Sequence, residues 1–430
     1  MVVLGLMSGT SMDGIDAALI KTHGTVNHFS IIGYHSESYT AIFKIILKAT
    51  EFAIRQADGN MLEAEQKFED FVQQYLLSEL GLSGDRLEEK IQEIQKFMAE
   101  KWGKDKISLQ GVVDVSTNLH TQVAKALMKK YPDEQVQLVG YHGQTFFHQP
   151  KRKISIILGD GQKMADTLAV RVINDFRSTD VQSGGQGAPF APIYHLALLR
   201  RDKMPFPCAV VNCGGISNIT YMPSDNPTEM VAFDVGPGNG LLDRFVRQRT
   251  NGEKSMDENG NYASRGKVDE AILEILHQKA IVKNGVNQLD LYPPKSLDSA
   301  DLVLPVEMDL LSIEDGCRTL SAFTAETIAL SPKFICGNAP KRWLLAGGGC
   351  NNPVILLEIK TRLKSRWGED VQVLRADDCG WNVQYLEAEL MAFLAALSLN
   401  KYPISFPKTT GVKFPMTGGV LYEPKITKEL

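Results

Sequence analysis

Residues 4–20 read LGLMSGTSMDGIDAALI, an apolar run broken by a polar knot and then resumed. Ser8, Thr10 and Ser11 offer hydroxyls beside main-chain amides, and Gly9 lets that backbone approach a ligand closely. These are the groups that hold a phosphate. Asp13, just beyond, can carry a hydrated magnesium between such a loop and a triphosphate. A second strand–turn–strand unit, residues 210–220 around NCGGISN, presents Asn212, Gly214 and Gly215 in the same manner. In AGGGCNN, Gly347, Gly348, Gly349 and Asn351 follow the strand-like RWLLA, with the character of a strand end and helix start against which adenosine packs. One such loop is more often an ordinary turn; the set points to a nucleotide. No loop fits GxxxxGK[ST], and GISNIT lacks the third glycine of the dinucleotide fingerprint.

The elements that must position these loops alternate along the chain. Residues 2–7 predict a strand running into the knot, and 15–20 and 29–34 predict further strands of a hairpin-rich start. From 61 to 104 the chain turns charge-rich and helical, with Leu87, Ile91, Ile94 and Met98 on one face. Helix fits 119–130 and strand fits 136–141. Glycine then punctuates GYHGQT, LGDGQ, NDFRSTDVQSGGQGAP, VNCGGISNIT and FDVGPGN, more often than turns require. Helices are expected over 269–279, 320–330 and 384–399, and a strand over 342–346 before the glycine loop. Strands and helices in alternation define an α/β class.

A chain of 430 residues with 43% hydrophobic and 23% charged residues has the length for two cores. The net charge of -5, with no basic block longer than LRRDK, argues against a nucleic-acid partner. With neither a leader-like start nor an apolar run approaching 18 residues, no membrane association and a cytoplasmic location are expected. Cys208, Cys213, Cys317, Cys336, Cys350 and Cys379 form no CxxC pair and are expected as reduced core thiols. The eight histidines show no zinc-ligand spacing.

Two phosphate hairpins, one in each half, with a later glycine-rich adenosine loop, are the layout of the sugar kinase, actin and heat-shock ATPase fold. The sequence resembles the anhydro-N-acetylmuramic acid kinase family through GLMSGTSMDGIDAAL, GYHGQTFFHQP, NDFRSTDVQSGGQGAP, NCGGISNIT, FDVGPGNGLLD, AGGGCNNP, EAELMAFLA and TTGVKFPMTGGVLYEP, in family order from residue 5 to 424. The resemblance implies a two-domain actin-like, ribonuclease H-like kinase with an interdomain active-site cleft. Domain I is expected over 1–175 with 395–430, carrying the helical insertion, and domain II over 176–394. A homodimer is also implied. Two departures stand out: the charged stretch 61–104 is long, and PPKSLDSAD (293–301) replaces the PPKSTGRE form of many members. Relatives of the family act on levoglucosan, the plain anhydro-sugar.

The implied reaction consumes ATP with Mg2+. The substrate's O6 is tied into a 1,6-anhydro bridge, so a base must activate water for attack on C1 while O6 takes the phosphoryl group. Asp234, ending the apolar run of VAFDVGPGN, matches the family's catalytic aspartate; by its residues alone it is equally a turn cap. Asp243 reads as structural. For ATP the resemblance implies Ser8, Gly9, Thr10, Ser11, Met12, Asp13, Gly14, Ile15, Asp16, Asn212, Gly214, Gly215, Gly347, Gly348, Gly349 and Asn351, with Asp13 reaching the metal through water. For the sugar it implies His142, Gln144, Thr145, Arg177, Asp180 and Glu389. A buried loop-stabilising network is as good a reading of His142 as direct contact.

Overall fold

The computed structural model describes residues 1–9, 11–335 and 339–425. Thr10 and Cys336 lie outside the described residues. The chain divides into two compact units: residues 1–190 with 385–405 and 412–430, and residues 191–384 with 406–411.

In the first unit, the strand Val2–Met7 pairs antiparallel with Gly14–Thr22, which pairs antiparallel with Phe29–Ser38. On its other side Val2–Met7 pairs parallel with Val136–Tyr141, which pairs parallel with Arg171–Asn174. The short strand Val420–Tyr422 closes that edge. In the second unit the same order recurs. Cys208–Cys213 pairs antiparallel with Ile216–Met222, which pairs antiparallel with Val231–Pro237. Arg342–Ala346 then runs parallel beside Cys208–Cys213, and Gln372–Arg375 beside that. Three hairpin-linked strands followed by parallel additions is the ribonuclease H-like order. Its duplication puts a hairpin tip at the same place in each sheet.

The helix Leu386–Leu399 lies on the first sheet, and its closeness is set by glycine. A Cβ at Gly5 would fall 2.0 Å from the Ala388 carbonyl oxygen, and one at Gly140 would fall 2.1 Å from that of Met391. This packing fixes the whole helix in the first unit, so the boundary expected at 394/395 lies instead at 384/385. The other expected boundary, 175/176, lies at 190/191. Residues beyond 175 stay with the first unit through bonds such as Gln182 Nε2 to the Lys153 carbonyl (3.1 Å) and His148 Nε2 to the Gln186 carbonyl (2.8 Å). Residues 406–411 join the second unit, where the Ala232 amide donates to the Lys408 carbonyl (3.1 Å).

The charged stretch forms helices Met61–Gln66, Phe68–Ser78 and Asp85–Trp102. Leu87, Ile94 and Met98 are buried on one face, as their spacing predicts. The second unit's core is built on helix Ile313–Leu330, packed against Pro353–Trp367 and the strand Val231–Pro237. The described cysteines are free thiols, all buried except the half-buried Cys379. No helix among the described residues is long and apolar enough to cross a membrane.

Candidate active site

The polar knot is the turn between the first two strands. Its shape is held by side chains. Tyr39 donates to Ser8 Oγ (3.1 Å), Ser8 donates to Gln144 Oε1 (2.7 Å), and Gln144 Nε2 donates to the Gly9 carbonyl (3.0 Å). Met12, at φ 56, turns the chain back and buries its side chain, as Ile15 does. These two residues therefore serve the hairpin from the core. Gly9 has ordinary φ, and a Cβ there would meet only Ser11 Oγ at 3.7 Å. No described residue demands glycine at that point, so the space beside its Cα is open to a ligand. Asp13 is exposed and pairs with Lys44 (3.2 Å). Slight burial raises its carboxyl, but the bonds from Lys44 and Ser11 prevail and hold it below the usual range. It is ionised at neutral pH.

Beside the knot, the His142 amide donates to the Leu6 carbonyl (3.1 Å), which joins the YHGQT motif to the first strand. His142 is buried, and burial, then the Arg177 charge, pulls its imidazole down to about 3. The ring is neutral, so Nδ1–H donates to the Gly143 carbonyl (2.8 Å) while Nε2 accepts from Arg177 Nη2 (3.1 Å). Arg177 Nη1 also donates to the Gly187 carbonyl (2.8 Å), whose amide donates to Asp180 Oδ1. Arg177 Nε, Asp180 Oδ2 and Thr145 Oγ1 are among the buried polar atoms that have no hydrogen-bond partner in the described residues. Such atoms are costly unless a ligand or water meets them.

Two of the expected sugar contacts have other duties. Gln144 is fully buried and spends its amide on the knot. Glu389 is 2% exposed and accepts from the Tyr34 hydroxyl, inside a helix buried nearly all round. Glu387, two residues earlier, is the exposed acid of that helix start. Burial of its surroundings raises its carboxyl, with the Arg177 charge acting against that and Asp16 adding to it.

In the second unit, the Gly214–Gly215 turn is fixed by main chain. Gly238 N–H and Gly240 N–H donate to the Gly215 carbonyl (3.0 and 3.3 Å), and Asn239 N–H donates to that of Gly214 (2.8 Å). A Cβ at Gly238 would sit 1.8 Å from the Gly214 oxygen, whereas one at Gly215 would meet nothing within 4 Å. Gly348 is equally open. Gly347, at φ +91, and Gly349, whose Cβ would lie 2.6 Å from Cys213 Sγ, are required by the fold. Asn351 Oδ1 accepts from Arg375 (3.0 Å), and Asn352 caps the following helix through the Val354 amide (2.9 Å).

Asp234 lies on the sheet's edge strand. Its amide donates to the Lys295 carbonyl (3.2 Å), and its Oδ2 accepts from Leu297 N–H (2.7 Å). Burial pushes its carboxyl up to about 6 against the Leu297 amide, the Ser296 hydroxyl and the Lys295 charge. Asp243 is also raised by burial, to about 6, and accepts from Asn239 Nδ2 (2.9 Å). It serves the turn after the strand.

No cluster of three metal-ligating side chains exists among the described residues. A resident cation therefore has no built cage there. One exposed, ionised carboxylate beside a bare hairpin fits a hydrated ion that arrives with a nucleotide.

Two ribonuclease H-like units with open glycine hairpins at matching sheet positions define an actin-like, sugar-kinase-type phosphotransferase. The anhydro-N-acetylmuramic acid kinase family model matches residues 67–424, and the chain belongs to that family. It is 39% identical over 428 residues to the anhydro-N-acetylmuramic acid kinase of Rhizorhabdus wittichii, covering 99% of each chain. It is 34% identical over 432 residues to that of Methylorubrum populi, covering 98% of each. Among solved structures, a ROK family glucokinase from Streptomyces griseus in complex with glucose and AMPPNP aligns with TM-score 0.39 and 12% identity, over 92% of this chain and 99% of that one.

Proposed function

We propose that the protein converts 1,6-anhydro-N-acetylmuramic acid, ATP and water to N-acetylmuramic acid 6-phosphate and ADP, in the recycling of cell-wall sugar. The observation that carries this reading is the state of Asp234. It is a half-buried carboxylate, anchored through one oxygen and held near 6, so it is mostly ionised at neutral pH yet basic enough to take a proton.

Asp234 accepts a proton from water as the oxygen bonds to C1. The C1–O6 bond breaks, its electron pair goes to O6, and O6 bonds to the γ-phosphorus as the β,γ-bridge oxygen leaves on ADP. The open turns about Gly9 and Gly215 bind phosphate oxygens through their amides, with the exposed Ser11 hydroxyl beside the first. Asp13 would hold hydrated magnesium, which neutralises phosphate charge when bound. Arg177, Asp180 and Thr145 supply unpaired polar atoms for the sugar and its substituents, and Glu387 takes the place expected of Glu389. A cytoplasmic homodimer belongs to the same reading.

Coupled ADP release with 1,6-anhydro-N-acetylmuramic acid and with levoglucosan tests it. Preference for the first by at least ~10², as expected where polar groups await the lactyl and acetamido substituents, supports the proposal. Equal or reversed preference overturns the substrate.

A further inference from the structure

The segment PPKSLDSAD has no part in the reaction as written, yet it contacts the residue on which the reaction turns. The strand Val231–Pro237 is the free edge of its sheet. Residues 295–297 cover that edge at one point. Asp234 N–H donates to the Lys295 carbonyl while Leu297 N–H returns a 2.7 Å bond to Asp234 Oδ2, and the Ser296 hydroxyl between them favours the ionised carboxylate. The segment is itself tied down. Lys295 Nζ donates to the Leu289 carbonyl (3.2 Å) and lies 4.3 Å from the Phe334 ring centroid and 5.8 Å from that of Phe233.

We propose that Ser296 and the Leu297 amide form a positioning clamp for the base, holding the Asp234 carboxylate in one orientation with its remaining lone pairs turned to water. This rests on Asp234 being the base. A carboxylate on a short side chain rotates freely unless donors fix it, and a base is effective only with its lone pair aimed at the proton it removes. Donors to a carboxylate also favour its ionised form, so the clamp opposes the desolvation that comes with burial. The charged group facing Asp234 is Lys295, and Lys295 in turn faces Lys333 and Asp290. Burial draws the Lys295 ammonium down to about 8, with Lys333 adding to this and Asp234 and Asp290 opposing it. Ser296 is exposed, so its truncation spares the core.

The test is the pH profile of kcat/KM for 1,6-anhydro-N-acetylmuramic acid with magnesium ATP, in the wild type, Ser296→Ala, Ser296→Thr and Asp234→Asn. Loss of one charge-assisted bond should move the acid limb of Ser296→Ala upward by about one pH unit. At pH 6 its kcat/KM should then be ~5-fold below wild type and at pH 8 within ~2-fold, with the KM for ATP unchanged. Ser296→Thr, which keeps the hydroxyl, should restore the profile. An acid limb unmoved in Ser296→Ala, or equal losses in the Ala and Thr variants at every pH, overturns the clamp. Normal turnover by Asp234→Asn would overturn the assignment of the base instead.

Discussion

The two glycine hairpins occupy the same position in sheets of the same order, but they are held by different means. The first is shaped by the side chains of Tyr39, Ser8 and Gln144. The second is shaped by amides of residues 238–240 that reach its two carbonyls. Duplicated topology therefore fixes where a hairpin goes and leaves open what braces it. Side-chain bracing tolerates backbone variation and fails when one polar group is removed. Main-chain bracing ignores side-chain chemistry and fails when a Cβ intrudes.

Gly238→Ala should break the second hairpin most severely. Its Cβ would sit 1.8 Å from the Gly214 oxygen, so the turn must move. A loss of ~2–4 kcal/mol in urea unfolding and at least ~10² in kcat/KM is expected. Gln144→Ala attacks the first hairpin by its own weakness, because Ser8 Oγ and the Gly9 carbonyl each lose a partner. About 1–3 kcal/mol of stability and a several-fold rise in the KM for ATP should follow. Gly215→Ala sharpens the contrast, since its Cβ meets no protein atom within 4 Å. Stability should stay within ~1 kcal/mol while the KM for ATP rises ~10-fold, because the methyl occupies space meant for phosphate. An unchanged KM would mean that the turn faces no ligand.

The strands Val136–Tyr141 and Arg342–Ala346 have the bounds that their apolar runs predict, because each is a buried central strand flanked by turn-forming residues. The span of helix Glu270–Lys279 was similarly legible to within one residue, Asp269 proving to be its N-cap, which accepts from the Ile272 amide. What sequence could not supply was the partner of a side chain. Gln144 reads as a sugar contact until its bonds to Ser8 and Gly9, more than a hundred residues away, are known. The choice between Glu387 and Glu389 was likewise hidden. The helix Leu386–Leu399 is apolar on nearly every face, so no polar stripe marks which acid emerges. The boundary at 190/191 escaped for the same reason as Gln144, being set by bonds across loops, from Gln182 to Lys153 and from His148 to Gln186, rather than by local composition.

The central claim is that Asp234 removes a proton, and Asp234→Asn tests it most directly when turnover, nucleotide binding and stability are measured on one preparation. The wild-type carboxyl, near 6 when folded and 3.8 in its ordinary state, favours the protonated folded form. The stabilisation that this one carboxyl contributes is therefore full below about pH 4 and is lost as pH rises through about 6, a loss that an amide does not suffer. Above pH 7 the Asn variant should equal or exceed the wild type in stability, by up to about 2 kcal/mol, with the two converging below pH 4. It should bind ATP and sugar with little change and turn over at least ~10² more slowly. Turnover near the wild-type rate in a folded, ligand-binding Asn variant would contradict the account.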